Sequence, residues 1–531
     1  MRAVLTRLPL VLLALPVAAG LLVAVIQSQG AWGEAWALPG LMRAARLSLV
    51  PGLAATLVAL TLTGLILALE PPGTRTLFRL LAAFLALPHA ALALGLAFLA
   101  APSGPIARLV APLMGWQAPP DLLTVGDPNG LGLTLGLILK ETPFLLLLAL
   151  AARGPDLRRL DLVASTFGHG RALRFALIEA PLLYRRLRLP VLAVLAYGMT
   201  TVDMGAILGP GLPAPLSVEV TRAATRADLG GEGLAAALAL MQLALVALAL
   251  ALWRGVEALA AALARALVAR GARGVGWDAP LRALATLAAW SLIALPLAAL
   301  SLLALRVVTL RWPFPDLVPL LSLRPLGQTL PALPPLAANS LALALASTAL
   351  ALALALIALQ GRSRLEALIW LPLILPQVVF LPGIARLMIG VEPWSATLAA
   401  HVTFALPYLW LSLAGPWRAW NPRLAQVAAT LGASPARILW RLRLPMLAPS
   451  LAAATAIGIA VSTGQYLATL LMSGGRLPTL TTEAVALSTG PDRALVAALA
   501  LAQAALPLVA FALAARVKLF PSRPQGPKER P

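Results

Sequence analysis

The chain is predicted to be an all-α integral membrane protein of about twelve transmembrane helices, arranged as two parallel six-helix repeats. Three observations lead there. Hydrophobic residues make up 60% of the 531 and charged residues only 11%, with a mean hydropathy of +0.90, far above what a chain folding in water needs. About twelve stretches approach the roughly 20 apolar residues required to cross a hydrocarbon core about 30 Å thick. Finally, the chain repeats itself: VASTFGHGRALRFALIEAPLL at 163–183 returns as VAATLGASPARILWRLRLPML at 427–447.

Taken in order, the first span is expected at 8–26, behind Arg2 and Arg7. Basic residues before an apolar stretch also suit a cleaved signal peptide, but the stretch is long and has a counterpart at 283–305, so it is expected to be retained. Spans follow at 48–69 and 77–101, then an outer segment at 102–129, then a span at 130–152 that carries Lys140 and Glu141. The first repeated loop comes next, ahead of spans at 190–209 and 233–253. The second half repeats this order at 283–305, 337–359, 365–390, 395–416, 446–472 and 493–515, with its loop between the fourth and fifth spans. Glycine and proline inside these stretches are compatible with membrane helices.

The repeat extends beyond the loops. Ala14-Leu15-Pro16-x-Ala18-Ala19 recurs as Ala294-Leu295-Pro296-x-Ala298-Ala299, and Pro88-His89 as Pro376-Gln377. The division expected is 1–270 and 271–531. Six spans per unit return the chain to the same side, so the halves are parallel repeats about an axis along the membrane normal, with a pathway at their interface.

A formal net charge of +21 would suggest nucleic acid in a soluble protein. Here the positives are strung between apolar segments, and topology accounts for them. With both termini cytoplasmic, the cytoplasmic segments collect Arg153, Arg158, Arg159, Arg185, Arg186, Arg188, Arg437, Arg441, Arg443 and the tail from Lys518 to Arg530. No nucleic-acid partner is expected; the lipid bilayer is. Cysteine is absent, which excludes disulfides and thiolate metal sites.

In the second loop, 424–447, a helix is expected to end at Gly432, and Ser434-Pro435 supplies an N-cap and a first-turn proline for a short new helix. That helix carries Arg437 and Trp440 before Pro445 leads into the next span. The first loop, 160–183, has Gly168, Arg171, Arg174, Phe175 and Pro181 in comparable places. In both, the proline follows the glycine by thirteen residues (181 − 168 and 445 − 432). An apolar and basic knob of this kind suits a groove on a soluble partner; the plainer reading is an amphipathic helix on anionic headgroups.

The two loops resemble the EAA loops of bacterial binding-protein-dependent ABC importer permeases (type I). The resemblance rests on Leu162-Val163-Ala164 with Gly168, Ile178 and Pro181, and on Gln426-Val427-Ala428 with Gly432, Leu442 and Pro445. Leu162 and Gln426 stand where that family carries its leading glutamate. Two permease units in one polypeptide look most like the thiamine and iron(III) permeases. The resemblance implies the type I importer permease fold, a bacterial inner-membrane location, a dimer of cytoplasmic ATPase subunits gripping the loops, and an extracytoplasmic solute-binding protein delivering the solute.

ATP is then used by the partner, and no cofactor is expected on this chain. A P-loop needs a lysine after glycine, yet the only lysines are Lys140, Lys518 and Lys528, none in that setting. The three histidines, His89, His169 and His401, have no ligand spacing, and no catalytic constellation appears, so a transport protein is expected, not an enzyme. Lys140, Glu141, Asp203 and Gln465 lie at membrane depth, where polar groups face a bundle interior or a water-filled path; they are the candidates for pathway or gate. The competing class is a twelve-span secondary transporter driven by an ion gradient, which needs no matched docking knobs.

Overall fold

The computed structural model describes residues 2–226, 230–361 and 363–517. Residues 227–229, between the expected spans 190–209 and 233–253, and the tail from Lys518 to Arg530, lie outside the described residues. Among the described residues, nine helices are long and apolar enough to cross a bilayer, or eleven if two bent pairs each count as one span. The bent pairs are Arg364–Ile374 with Gln377–Leu387, at 97°, and Pro435–Met446 with Ala448–Thr463, at 77°. The remaining expected span, 190–209, is divided between Ala180–Thr200 and Asp203–Leu208. Arg185, Arg186 and Arg188 occupy the early turns of the first piece, which leaves a short apolar stretch. The only strands described form a small hairpin, Thr309–Arg311 with Leu320–Leu321.

The order of elements recurs between the halves, and so do their breaks. The expected span 77–101 is two helices, Thr74–Leu85 and His89–Ala100, as its counterpart is. Pro88 and Pro376 both sit in extended backbone ahead of the second piece, because a proline offers no N–H to continue a helix and forces its predecessor out of helical geometry. Gly230–Ala269 departs from expectation: it runs 40 residues, about 60 Å at 1.5 Å per residue. Its Ala- and Leu-rich sequence contains no proline and passes helically through Gly255, so the helix outlasts the membrane.

Each half lends its first helix to the other. Arg2–Gln27 packs on Gln377–Leu387, and the first helix of the second half, Asp278–Val307, packs on His89–Ala100. The contacts are close enough to demand small residues. A Cβ on Gly383 would lie 2.2 Å from the Gly20 carbonyl oxygen, and one on Gly95 would lie 2.8 Å from Ala299 Cβ. Gly95 follows Pro88 by seven residues and Gly383 follows Pro376 by seven. The two short sequence echoes are thus the two sides of one contact, made twice across the halves. In a bilayer, such backbone approach replaces the hydrophobic drive that holds helices together in water. The buried clusters accordingly mix the halves: Leu92, Leu96, Ala299, Leu303 and Leu499 share one, and Val17, Leu216, Leu234, Phe380 and Phe404 another.

Two short helices, Leu216–Ala224 and Leu480–Ala486, follow the fifth spans and begin with backbone groups that water cannot reach. The structure satisfies them in parallel. The Leu216 N–H donates to Ser48 Oγ at 3.0 Å and the Leu480 N–H to Ser340 Oγ at 3.0 Å. Ser217 Oγ donates to the Thr201 carbonyl at 3.2 Å, and Thr481 Oγ1 to the Thr463 carbonyl at 2.5 Å. Irregular backbone at membrane depth persists where protein partners replace water in this way.

Candidate functional site

Each repeated loop folds as a helix, a glycine turn and a second helix leading into the fifth span. The first runs Pro155–Ser165, Arg171–Arg174, then one wide π-helical turn, Phe175–Glu179. The second runs Pro422–Thr430, Pro435–Ile438, then the π-helical turn Leu439–Arg443. Gly168 and Gly432 have φ of +72° and +79°, a left-handed conformation that glycine adopts without steric cost. Ser434 caps the second short helix, its Oγ accepting from the Arg437 N–H at 3.3 Å. The first loop has no such residue: the Asp278 carboxylate, at the start of the second half, accepts from the Arg171 and Ala172 N–H groups at 2.7 and 3.0 Å.

The expected knob is only partly where the sequence suggested. Trp440 is 69% exposed, but Phe175 is 7% exposed and joins a buried cluster. The register explains the difference. At the loop offset of 264 residues (432 − 168), Trp440 matches Ala176, and Phe175 matches Leu439; one residue turns a helical side chain by about 100°, so Phe175 points inward. Arg171 and Arg174 are also engaged within the chain, pairing with Glu70 at 3.4 Å and Asp161 at 2.5 Å, whereas Arg437 is exposed. The matched exposed apolar positions lie earlier, on the first helix and turn: Val163 and Val427, both 59% exposed, and Phe167 and Leu431, at 67% and 82%. The Val-Ala-x-Thr-x-Gly step contained them, but nothing in the sequence says which face of that helix is covered. Pro181 and Pro445 stand near the starts of the following helices.

At membrane depth, Lys140 is 6% exposed and its Nζ donates to the carbonyls of Leu85, at 2.9 Å, and Leu87. It therefore caps the broken end of Thr74–Leu85 just before Pro88, satisfying carbonyls that the break leaves without helical partners. Glu141 is beside it, and the charges of Glu141 and Asp203 both reach it. Asp203, 7% exposed, accepts from Thr201 Oγ1 at 2.8 Å. Gln465 is likewise buried, and its carbonyl accepts from Thr469 Oγ1 at 2.6 Å. Lys140, Glu141 and Asp203 thus come together, while the described contacts of Gln465 belong to the second half.

Sequence reading missed the tyrosines. Three of the four in the chain lie within electrostatic reach of these carboxylates: Tyr197 of Asp203 and Glu141, Tyr408 of Glu141, and Tyr466 of Asp203. They come from the fifth span of the first half and the fourth and fifth spans of the second, and only the fold relates them. His401 is instead enclosed, its Nδ1 2.7 Å from Ser462 Oγ and its Nε2 2.9 Å from Thr469 Oγ1. Among the described residues no group of three or more His, Cys, Asp or Glu could hold a metal.

On the opposite end, Arg108 of the segment 102–129 is 2% exposed and clasps the hairpin of the second half. It donates to the carbonyls of Trp312, at 2.9 Å, Pro313, at 2.5 Å, and Asp316, at 2.6 Å, and lies 4.6 Å from the Trp312 ring centroid.

The chain is 32% identical over 497 residues to the inner membrane ABC transporter permease protein YnjC of Escherichia coli K12, a match spanning 92% of this chain and 90% of that relative. The chain belongs to the ABC transporter permeases. Shorter stretches of the permease are similar to two further proteins. One is the molybdenum transport system permease protein ModB of Mycobacterium tuberculosis, 37% identical over 129 residues, which is 21% of this chain and 48% of ModB. The other is the spermidine/putrescine transport system permease protein PotC of Haemophilus influenzae, 25% identical over 119 residues, 22% of this chain and 46% of PotC. No family model and no solved structure matches the permease. It is a multi-pass inner-membrane transport subunit, with ATP hydrolysis on a separate subunit. Membership of this family does not favour the gradient-driven carrier.

Proposed function

We propose that the permease forms a complete translocation path from two six-span repeats, 1–270 and 271–531, with both termini cytoplasmic. The loops at 160–183 and 424–447 are the coupling elements, each gripped by one subunit of an ATPase dimer. An extracytoplasmic binding protein delivers solute to the outer segments 102–129, 210–232 and 474–492. ATP binding and hydrolysis rock the halves about their shared interface, opening the path to each side in turn.

The observation that carries this reading is the pairing of exposed apolar positions, Val163 with Val427 and Phe167 with Leu431, each pair beside a glycine in the left-handed conformation. Large apolar side chains beyond the membrane need a partner, and two copies at equivalent places suit a symmetric pair of partners. The solute is a cation. Glu141 and Asp203, with Tyr197, Tyr408 and Tyr466, supply negative charge and aromatic faces, both of which attract cations. Lys140, held by two carbonyls, offsets one of the two carboxylates and leaves the other. Thiamine, an organic cation with aromatic rings, suits this set; iron(III) is the second solute of the same sign.

The test is reconstitution. The chain alone in vesicles is expected neither to hydrolyse ATP nor to accumulate thiamine or iron(III) under a proton or sodium gradient. Adding the ATPase and binding protein encoded with it is expected to give ATP-dependent uptake. Gradient-driven accumulation by the chain alone would overturn the coupling role of the loops. Uptake of an anion such as molybdate, with neither cation taken up, would overturn the assignment of solute charge.

A further inference from the structure

Each coupling element returns to the end of the fourth span of its own half, and the two returns use the same positions with different chemistry. Glu179 closes the first π-helical turn and Arg443 the second, 264 residues apart (443 − 179). The Glu179 side chain, 2% exposed, accepts from Arg153 Nη2 at 3.0 Å. Arg153 directly follows the span Leu131–Ala152. The matching residue, 264 further on (417 − 153), is Trp417, near the end of Pro393–Ala419. There the Arg443 guanidinium lies 3.6 Å from the Trp417 ring centroid and donates to the Trp417 carbonyl at 2.7 Å, with Trp420 at 5.0 Å. An ion pair and a cation–π stack therefore make one connection twice, with no residue type held in common at the same position.

The covalent route between span and loop is interrupted in both halves. Gly154 and Asn421, the residues ahead of the loop helices, are in extended backbone with ψ of 171° and 113°, so no helix runs unbroken from span into loop. The second contact, from the π-helical turn back to the span, closes a triangle. What it holds matters for transport, because the fourth spans carry Glu141 and Tyr408. A buried ion pair is weak evidence for added stability, since desolvation offsets much of the attraction; it is better read as fixing geometry. Burial raises the Glu179 carboxyl above its usual range, opposed by the Arg153 hydrogen bond and charge.

We propose that Arg153–Glu179 and Trp417–Arg443 are struts through which movement of each coupling element is delivered to the fourth span of its half. This rests on the docking reading above. The four are positioning residues, touching neither solute nor nucleotide, and their removal uncouples transport from hydrolysis without removing the ATPase.

The test uses the full chain with its ATPase subunit and binding protein in proteoliposomes, read three ways: retention of the ATPase on purification, ATP hydrolysis, and thiamine or iron(III) taken up per ATP. Glu179→Ala and Arg443→Ala are expected to retain the ATPase but lower uptake per ATP roughly tenfold. If Glu179→Ala does not fold, Arg153→Ala breaks the same strut from the span side. The deciding variant grafts the second half's chemistry into the first, Arg153→Trp with Glu179→Arg, and is expected to restore uptake per ATP. Undiminished uptake per ATP in the alanine variants overturns the proposal, as does a folded, ATPase-retaining graft that stays uncoupled. Loss of the ATPase from Glu179→Ala also overturns it, placing Glu179 in the docking face. Failure of the unaltered chain to retain the ATPase would sink the docking reading itself, and the struts with it.

Discussion

At the scale of single residues, exposure separates surface groups from packed ones in two loops that look alike on paper. Phe167 and Leu431 project beside their glycines, and Phe175 is packed away. Phe167→Asp or Leu431→Asp is therefore expected to leave the permease folded while weakening ATPase docking by about 2 kcal/mol or more, the loss typical of an interface anchor. Phe175→Asp should lower the thermal midpoint of the permease itself. Affinity of the purified ATPase for nanodisc-held variants, beside their melting curves, would separate the two effects; normal docking by both surface variants would remove the assigned face. Glu392 offers a pH-dependent case outside the spans. Its carboxylate accepts from the Trp394 and Ser395 N–H groups at 3.0 and 2.9 Å, holding the carboxyl below the usual carboxylate range. A depressed value means that the stabilisation is present above the unfolded pKa of about 4.3 and is lost as pH falls through the folded one. Hydrogen exchange at Trp394 and Ser395 should be faster in Glu392→Gln than in the parent at neutral pH, and the difference should vanish in acid.

At the scale of elements, the close passage of Gly383 and Gly20 ties the first helix to the opposite half. Gly383→Leu would force a side chain into a backbone carbonyl, and overpacking of this kind costs about 1–3 kcal/mol. The variant is expected to melt earlier, whereas Gly415→Leu, where an added Cβ meets nothing within 4 Å, should not. Equal melting of the two would mean the crossing is loose. The elements also show what the sequence could tell. Spans, prolines and loop glycines were legible because hydropathy, a missing N–H and a left-handed φ are local properties. The exchange of first helices was not, because Arg2–Gln27 is apolar on every side and so does not mark the face that meets protein. Nor was the inward turn of Phe175, which depends on a one-residue register, or the approach of Tyr197, Tyr408 and Tyr466 to the same carboxylates, since they come from three separate spans of the two halves.

At the scale of the whole molecule, joining the repeats in one polypeptide makes the two repeated loops unequal. The connection between the halves lies against the first loop: the Gly170 N–H donates to the Arg273 carbonyl at 2.7 Å, and a Cβ on Gly170 would come within 2.6 Å of the Gly274 carbonyl oxygen. Asp278, which begins the second half, then caps the first half's short helix, so that helix cannot shift without pulling on Asp278–Val307, the helix lent back across the interface to His89–Ala100. The second loop caps itself with Ser434 and carries no such load. Asp278→Ala should therefore speed hydrogen exchange at Arg171 and Ala172 by roughly fivefold, the effect of losing about 1 kcal/mol of capping, and leave Arg437 unchanged. Ser434→Ala should do the reverse. Equal loosening of both loops by either substitution would show that the caps act through the bundle as a whole and that the connection does not distinguish the halves.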